Sequence, residues 1–153
     1  MKILIKANSD KQKAFDIASS LTNSFDDRGL ASMKKDLEDQ KLFGAFLEDR
    51  MVGFVVYKEL NPEVIELAWM GILKENQGKG IGAKLLFESL RLLDKKYKAC
   101  EVKTLAETHS DPGYAKTREF YKKLDFIPLE IISPYPGWSK DSPCQIFVKF
   151  LSA

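Results

Sequence analysis

The segment Gln77-Gly78-Lys79-Gly80-Ile81-Gly82-Ala83-Lys84 places three alternate glycines between an apolar run and an amphipathic one. Glycines carry no side chain into the turn, so successive backbone N–H groups can share one concavity, and a helix N-terminus adds positive potential. With Lys79 and Lys84 alongside, the chemistry offered is the holding of a diphosphate. Read for packing alone, the same glycines let a strand and a helix close on each other. A Walker A loop would end in Gly-Lys-Ser/Thr, whereas Gly82 precedes Ala83. Gly78-x-Gly80-x-x-Ala83 fits a dinucleotide fingerprint loosely. Against it, Lys74-Glu75-Asn76 separate the glycines from their strand, and too little chain follows for a doubly wound sheet.

Other chemistry is limited by the inventory. His109 is the single histidine, which excludes a three-His zinc site in one chain and leaves a Ser-His-Asp triad only that residue to use. Cys100 and Cys144 are far apart with no CxxC, so neither a zinc ribbon nor a redox pair is indicated and no metal is expected. Lys plus Arg is 24 and Asp plus Glu is 22, a net charge of +2. Such a balance gives no footprint for nucleic acid, and no basic run suggests a membrane surface. The apolar stretch of MKILIKANSD is too short for a signal-peptide core, and no run is long enough to span a bilayer. The expectation is a reduced, cytoplasmic protein.

Elements must position the glycine turn. The 153 residues, 44% hydrophobic and 30% charged, suit one cored domain over 1–153 and exclude disorder. Ile3 and Ile5 alternate with polar neighbours as a short strand. Asn8 or Ser9 can cap a helix whose apolar face is Ala14, Ala18, Leu21 and Phe25, and a second helix is expected around Leu30, Met33 and Leu37. Leu42–Leu47 and Met51–Tyr57, separated by Glu48-Asp49-Arg50, read as a hairpin. After the Asn61-Pro62 turn, Val64–Leu73 is a further strand. Gly78 to about Tyr97 carries Leu86, Leu90, Leu93 and Tyr97 on one helical face. Glu101–Glu107 alternates as a strand, giving a strand–helix–strand unit with a parallel pair. Asp111-Pro112 starts a helix running to about Leu124, and Phe126–Ile132 and Gln145–Leu151 close the sheet around the loop Ser133–Pro143.

The glycine segment resembles the acetyl-CoA motif of the GNAT N-acetyltransferase superfamily, Gln/Arg-x-x-Gly-x-Gly/Ala, with Gln77, Gly80 and Gly82 at its specified positions. Glu66-Leu67-Ala68-Trp69-Met70-Gly71-Ile72-Leu73 resembles that family's fourth strand. Arg118-Glu119-Phe120-Tyr121-Lys122-Lys123-Leu124-Asp125-Phe126 resembles its Phe-Tyr-x-x-x-Gly-Phe signature. Nearly the whole chain is covered. The resemblance implies a mixed α/β (α+β) fold: about seven mostly antiparallel strands with a parallel β4–β5 pair, and about four flanking helices in three layers. It implies that acetyl-CoA binds in the splay between those two strands and that a primary amine, a small molecule or a peptide, takes its acetyl group by direct attack; a monomer or homodimer is expected.

By the same resemblance, backbone groups of Met70 and Ile72, with Gly71 between them, pair with the pantetheine arm. N–H groups from Gly78 through Lys79, Gly80, Ile81 and Gly82 to Ala83 hold the pyrophosphate, with Gln77 and Lys84 beside them. Tyr121 sits near the thioester sulfur as general acid. Glu66, eleven residues before Gln77, matches a general-base glutamate of the histone-acetylating branch. Two positions depart from the pattern. Asp125 stands where a glycine is usual, and Tyr114 where many members place a cofactor-contacting asparagine. The family sheet also puts Cys100 and Cys144 at opposite ends of neighbouring strands, against a disulfide.

Each role has a plainer alternative. Tyr121 could simply pack, and Glu66 could be a surface glutamate at the strand entrance. Glu107 and His109 are rival bases, and water is a third. Trp69 is core or a wall of the acceptor cleft. Tyr135 and Trp138 stack substrate or anchor their own loop, and Glu107 adds a possible acceptor contact. Asp26-Asp27 attract a cation or are merely solvated. Two other functions fit parts of the pattern: a non-catalytic acyl-CoA-binding module on this fold, and a dinucleotide-binding oxidoreductase.

Overall fold

The computed structural model describes residues 2–106 and 113–151. The elements in order are β1 (Ile3–Ala7), α1 (Lys11–Ser20), α2 (Asp27–Asp36), β2 (Lys41–Leu47), β3 (Arg50–Asn61), β4 (Val64–Ile72), α3 (Ile81–Leu92), β5 (Ala99–Leu105), α4 (Gly113–Lys123), β6 (Ile127–Ile132) and β7 (Cys144–Phe150). The seven strands form one mostly antiparallel sheet in the order β1-β2-β3-β4-β5-β7-β6, with β4 and β5 parallel. The chain divides into two compact units.

The first unit comprises Met1–Glu59 and Leu67–Asp94. Its core joins Ala14, Ile17 and Ala18 of α1 to Met33 of α2 and to Leu42, Met51, Phe54 and Val56 of the hairpin. Asp10, rather than Asn8 or Ser9, caps α1, accepting from Lys13 N at 3.1 Å. Asn8 has the left-handed φ of 53° rather than the extended backbone of an N-cap, and Ser9 Oγ turns back to the Lys6 carbonyl. Asp26 caps α2 through Gly29 N at 2.7 Å, and Asp27 lies in the first turn, so helix initiation accounts for this acidic pair. The β2–β3 turn has two residues, not three. Glu48 and Asp49 both take positive φ, the geometry of tight hairpins, and Arg50 already pairs with Leu47.

Helix α3 is shorter than its apolar spacing implies. Gly78 and Gly80 take φ of 75° and 78° and precede it, while Leu93 is extended at ψ 156°. Its buried face is Ile81, Leu85, Leu86 and Ser89, with the Ser89 hydroxyl 2.7 Å from that of Tyr57. Leu93 and Tyr97 are buried from beyond the helix, so apolar spacing that continued in sequence did not continue as helix.

The second unit comprises Leu60–Glu66 and Lys95–Ala153. β5 alternates strictly, burying Cys100, Val102 and Thr104. α4 packs on it and is tied by Arg118 Nη1 to the Leu105 carbonyl at 2.9 Å. The Asp111-Pro112 helix start lies outside the described residues. Register pairs Cys100 with Lys149 and Cys144 with Leu105, so the thiols sit at opposite ends of the β5–β7 ladder and form no disulfide. At the sheet's end, β6 carries Pro128 and a bulge before Glu130, and leaves Ile127, Leu129 and Ile131 exposed.

Candidate functional site

In the first unit, β4 runs through Met70, Gly71 and Ile72, then a single 3-10 turn (Lys74–Asn76) leads to the glycines. Gly71 is buried where a Cβ would lie 2.8 Å from the Phe54 ring and 2.9 Å from Leu21. It therefore has a packing duty whatever its backbone binds. Gln77 Nε2 donates to the Ile72 carbonyl at 2.9 Å and so ties the turn to the end of its strand. At Gly78 and Gly80 a Cβ would meet nothing within 4 Å. Glycine there serves conformation, and the space over the backbone is open. No side chain caps α3, and Lys84 N bonds the Gly80 carbonyl at 3.2 Å. The N–H groups of Ile81, Gly82 and Ala83 precede the first residue that can find an intrahelical acceptor, so this is an open, donor-rich cradle with Lys79 and Lys84 exposed beside it. The cradle fits a diphosphate.

Trp69 of the same unit takes the core position that its sequence allowed. Its ring packs 6.2 Å from Phe25 against the core, and its indole N–H donates to Asp36 Oδ2 at 2.8 Å. Lys58 Nζ is 3.5 Å from the other carboxylate oxygen. Sequence reasoning missed Asp36 and Lys58, because nothing in their spacing points across a helix and two strands.

In the second unit, Glu66 is 9% exposed, not a surface residue. Lys103 Nζ lies 2.8 Å from Glu66 Oε2 and 3.7 Å from Glu101 Oε1. Burial on its own would lower the Lys103 pKa, but hydrogen bonding and charge from Glu66 and Tyr135 outweigh it and hold the ammonium well above the usual lysine value. Burial raises Glu101, against the pull of Lys103 and with the repulsion of Glu66. Lys103 was absent from the sequence candidates. Its only signal was alternation: Val102 and Thr104 face inward, so Glu101 and Lys103 share the other side.

Tyr121 is buried among Phe120, Phe126 and Phe147, with ring centroids 5.4, 5.5 and 6.2 Å away. Burial, and secondarily the Cys100 thiol, push its hydroxyl well above the ordinary phenol value, so it stays protonated at neutral pH. Asp125 takes φ 68°, the left-handed conformation that glycine prefers, immediately before Phe126. Its departure from the family glycine therefore changes the residue and keeps the turn. Tyr114 is half-buried in the first turn of α4. Tyr135 and Trp138 pack on each other at 5.3 Å, with Lys103 Nζ 5.5 Å from the Tyr135 ring. Glu107 and His109 lie outside the described residues. Among the described residues, no group of three or more His, Cys, Asp or Glu could hold a metal ion.

A family model of the acetyltransferase (GNAT) domain matches residues 38–128. The chain belongs to the GNAT acetyltransferase family. No curated protein is matched by sequence. Among solved structures, a GNAT-family protein from Desulfovibrio desulfuricans superposes with a TM-score of 0.81 at 17% identity, over 97% of this chain and 99% of that one. A GNAT family acetyltransferase from Elizabethkingia anophelis, crystallised with acetyl-CoA, gives 0.75 at 19% identity over 97% and 98%. The ribosomal-protein-S18-alanine N-acetyltransferase from Escherichia coli gives 0.75 at 18% identity over 99% and 96%. At these identities the likeness is one of GNAT fold. Among the described residues, no GNAT helix here is long and apolar enough to cross a membrane.

Proposed function

We propose that this GNAT protein transfers the acetyl group of acetyl-CoA to a primary amine, its 153 residues acting as one cytoplasmic catalytic domain, as a monomer or homodimer. The observation that carries this is the open, uncapped cradle at the head of α3, where two glycines at positive φ leave backbone donors unobstructed. Acetyl-CoA and coenzyme A occupy two structures of the same fold, one of them an aminoglycoside 6'-N-acetyltransferase with a TM-score of 0.72. Bound, acetyl-CoA would supply an activated thioester.

The chain's own residues would do the rest. N–H groups from Gly78 to Ala83 hold the diphosphate, Lys79 and Lys84 screen its charge, and Gln77 braces the turn. Backbone groups of Met70, Gly71 and Ile72 align the pantetheine arm as an added strand would, with Tyr114 as a further contact. Tyr121 keeps its proton at neutral pH and offers it to the departing sulfur. Glu66, Glu107, His109 or water takes the proton that the acceptor nitrogen must lose before it attacks. Trp69, Tyr135, Trp138 and Glu107 contact the acceptor.

The test is a thiol-release screen across polyamines, amino acids, aminoglycosides, peptide N-termini and lysine peptides, run beside calorimetric titration with acetyl-CoA. Binding and turnover of one class are expected; absence of acetyl-CoA binding would overturn the assignment. The three phenylalanine rings around Tyr121 also favour a second reading, acyl-CoA binding without turnover, in which this tyrosine only packs. Tight binding with no amine turned over would decide for it.

A further inference from the structure

Glu66 and Glu101 are register partners in the parallel pair, and Lys103 follows two residues on along the same side of β5. One ammonium therefore serves two carboxylates, at 2.8 and 3.7 Å, and lies 5.5 Å from the Tyr135 ring. Glu130 of β6 and Cys144 of β7 are the other titratable groups whose fields reach this cluster. Two carboxylates on one ammonium leave this contact group with surplus negative charge.

That arrangement suits one role for Glu66 better than another. A base loses its charge when it takes a proton, and neutralising one member of a close, half-desolvated ion pair leaves Lys103 beside an uncharged acid. An anion that orients a cation has no such obligation. A carboxylate offers about four lone-pair sites, so Lys103 on Oε2 leaves capacity for a second N–H donor.

We infer that Lys103 is a positioning residue that fixes Glu66 as an orienting anion for the acceptor ammonium, so that the proton goes to one of the other acceptors named above and not to Glu66. The inference rests on the acetyltransferase reading above. In balance, the ammonium gives one proton to that acceptor before attack, the carbon–nitrogen bond forms as the carbon–sulfur bond breaks, Tyr121 gives its proton to the departing sulfur, and the second proton lost by the nitrogen restores Tyr121. The acceptor class that fits is an alkylammonium, not a neutral aromatic amine.

The experiment compares wild type, Lys103→Met, Lys103→Arg, Glu66→Gln and the double variant Lys103→Met/Glu66→Gln, using the primary amine turned over fastest in the thiol-release screen. Lys103→Met and Glu66→Gln should each raise KM for that amine about tenfold with kcat within about threefold. Lys103→Arg should recover most of the loss, and the double variant should be no worse than either single one. A fall in kcat for Glu66→Gln at unchanged KM would make Glu66 the base and overturn the inference, as would additive effects in the double variant. If wild type turns over no amine, the acetyltransferase reading falls and takes the acceptor role with it. Thermal unfolding of the same proteins then still reads the pair: midpoint shifts that add within about 2 °C would overturn the hold of Lys103 on Glu66.

Discussion

At residue scale, the turn after α4 shows how a substitution can keep a geometry while straining it. Asp125 holds a left-handed conformation, and its contact with Lys149 is 4.0 Å long with the carboxylate almost fully exposed, so that pair adds little. Asp125→Gly removes the strain but frees the unfolded chain, and the two effects oppose each other. The expected result is a modest gain, up to ~1 kcal/mol, in the free energy of unfolding by urea. Tyr121→Phe tests the other residue-scale claim. Every ring contact survives the change and only the proton is lost, so acetyl-CoA affinity should hold while kcat falls by ~10²-fold or more. Unchanged kcat would assign the residue to packing.

Among the elements, the two helix starts do different work. Asp26 satisfies its own helix with a side chain, and Asp26→Ala should lower stability by about 1 kcal/mol, read from urea midpoints. α3 has no such cap, and its donors stay open. Gly80→Glu would add bulk and negative charge at a position with φ 78°, and acetyl-CoA affinity should fall by ~100-fold or more while Asp26→Ala leaves it unchanged. Titration calorimetry on both variants separates the two helices' duties.

The glycine turn ahead of α3, the β5 alternation and the hairpin were legible in sequence because glycine spacing and period-two burial are local signals, although the helix itself begins at Ile81 and not at Gly78. The C-terminal end of α3 was not, since Leu93 and Tyr97 keep helical spacing yet are buried from a following loop. Nor was Lys103, whose partner arrives from a strand more than thirty residues earlier and is set only by register. The candidate site was thus readable where one segment builds it, at Gln77 to Lys84, and hidden where pairing between segments does. Asp36 under Trp69 is the same lesson in the first unit.

On the scale of the whole molecule, the near-neutral charge of +2 means that the anion cradle owes little to a general basic field. Lys79→Ala/Lys84→Ala should therefore weaken acetyl-CoA binding only several-fold, far less than Gly80→Glu, with a shallow dependence on salt. Stability should depend on alkaline pH. Burial pushes the Cys144 thiol up to about 11 from 9.0, with Lys103 opposing and Glu101 and Glu66 adding to the rise. Tyr121 and Lys103 are raised as well. Each group holds its proton more tightly folded than unfolded, so the Cys144 contribution is complete below pH 9.0 and is lost as pH climbs to about 11, while the contributions of Tyr121 and Lys103 begin to be lost only above 10.0 and 10.5. The thermal midpoint should fall across that window, and a flat profile would contradict the burial of these groups.

The end of the sheet has a consequence of another kind. β6 exposes Ile127, Leu129 and Ile131, the sort of apolar border on which foreign strands add and fibrils begin. Pro128 brings no N–H to either side, and the bulge before Glu130 breaks the even spacing that an incoming strand would have to copy. The border is sticky but cannot be read in register. Solubility at this edge therefore rests on two local irregularities, and a chain that straightened them would be the one to watch for amyloid.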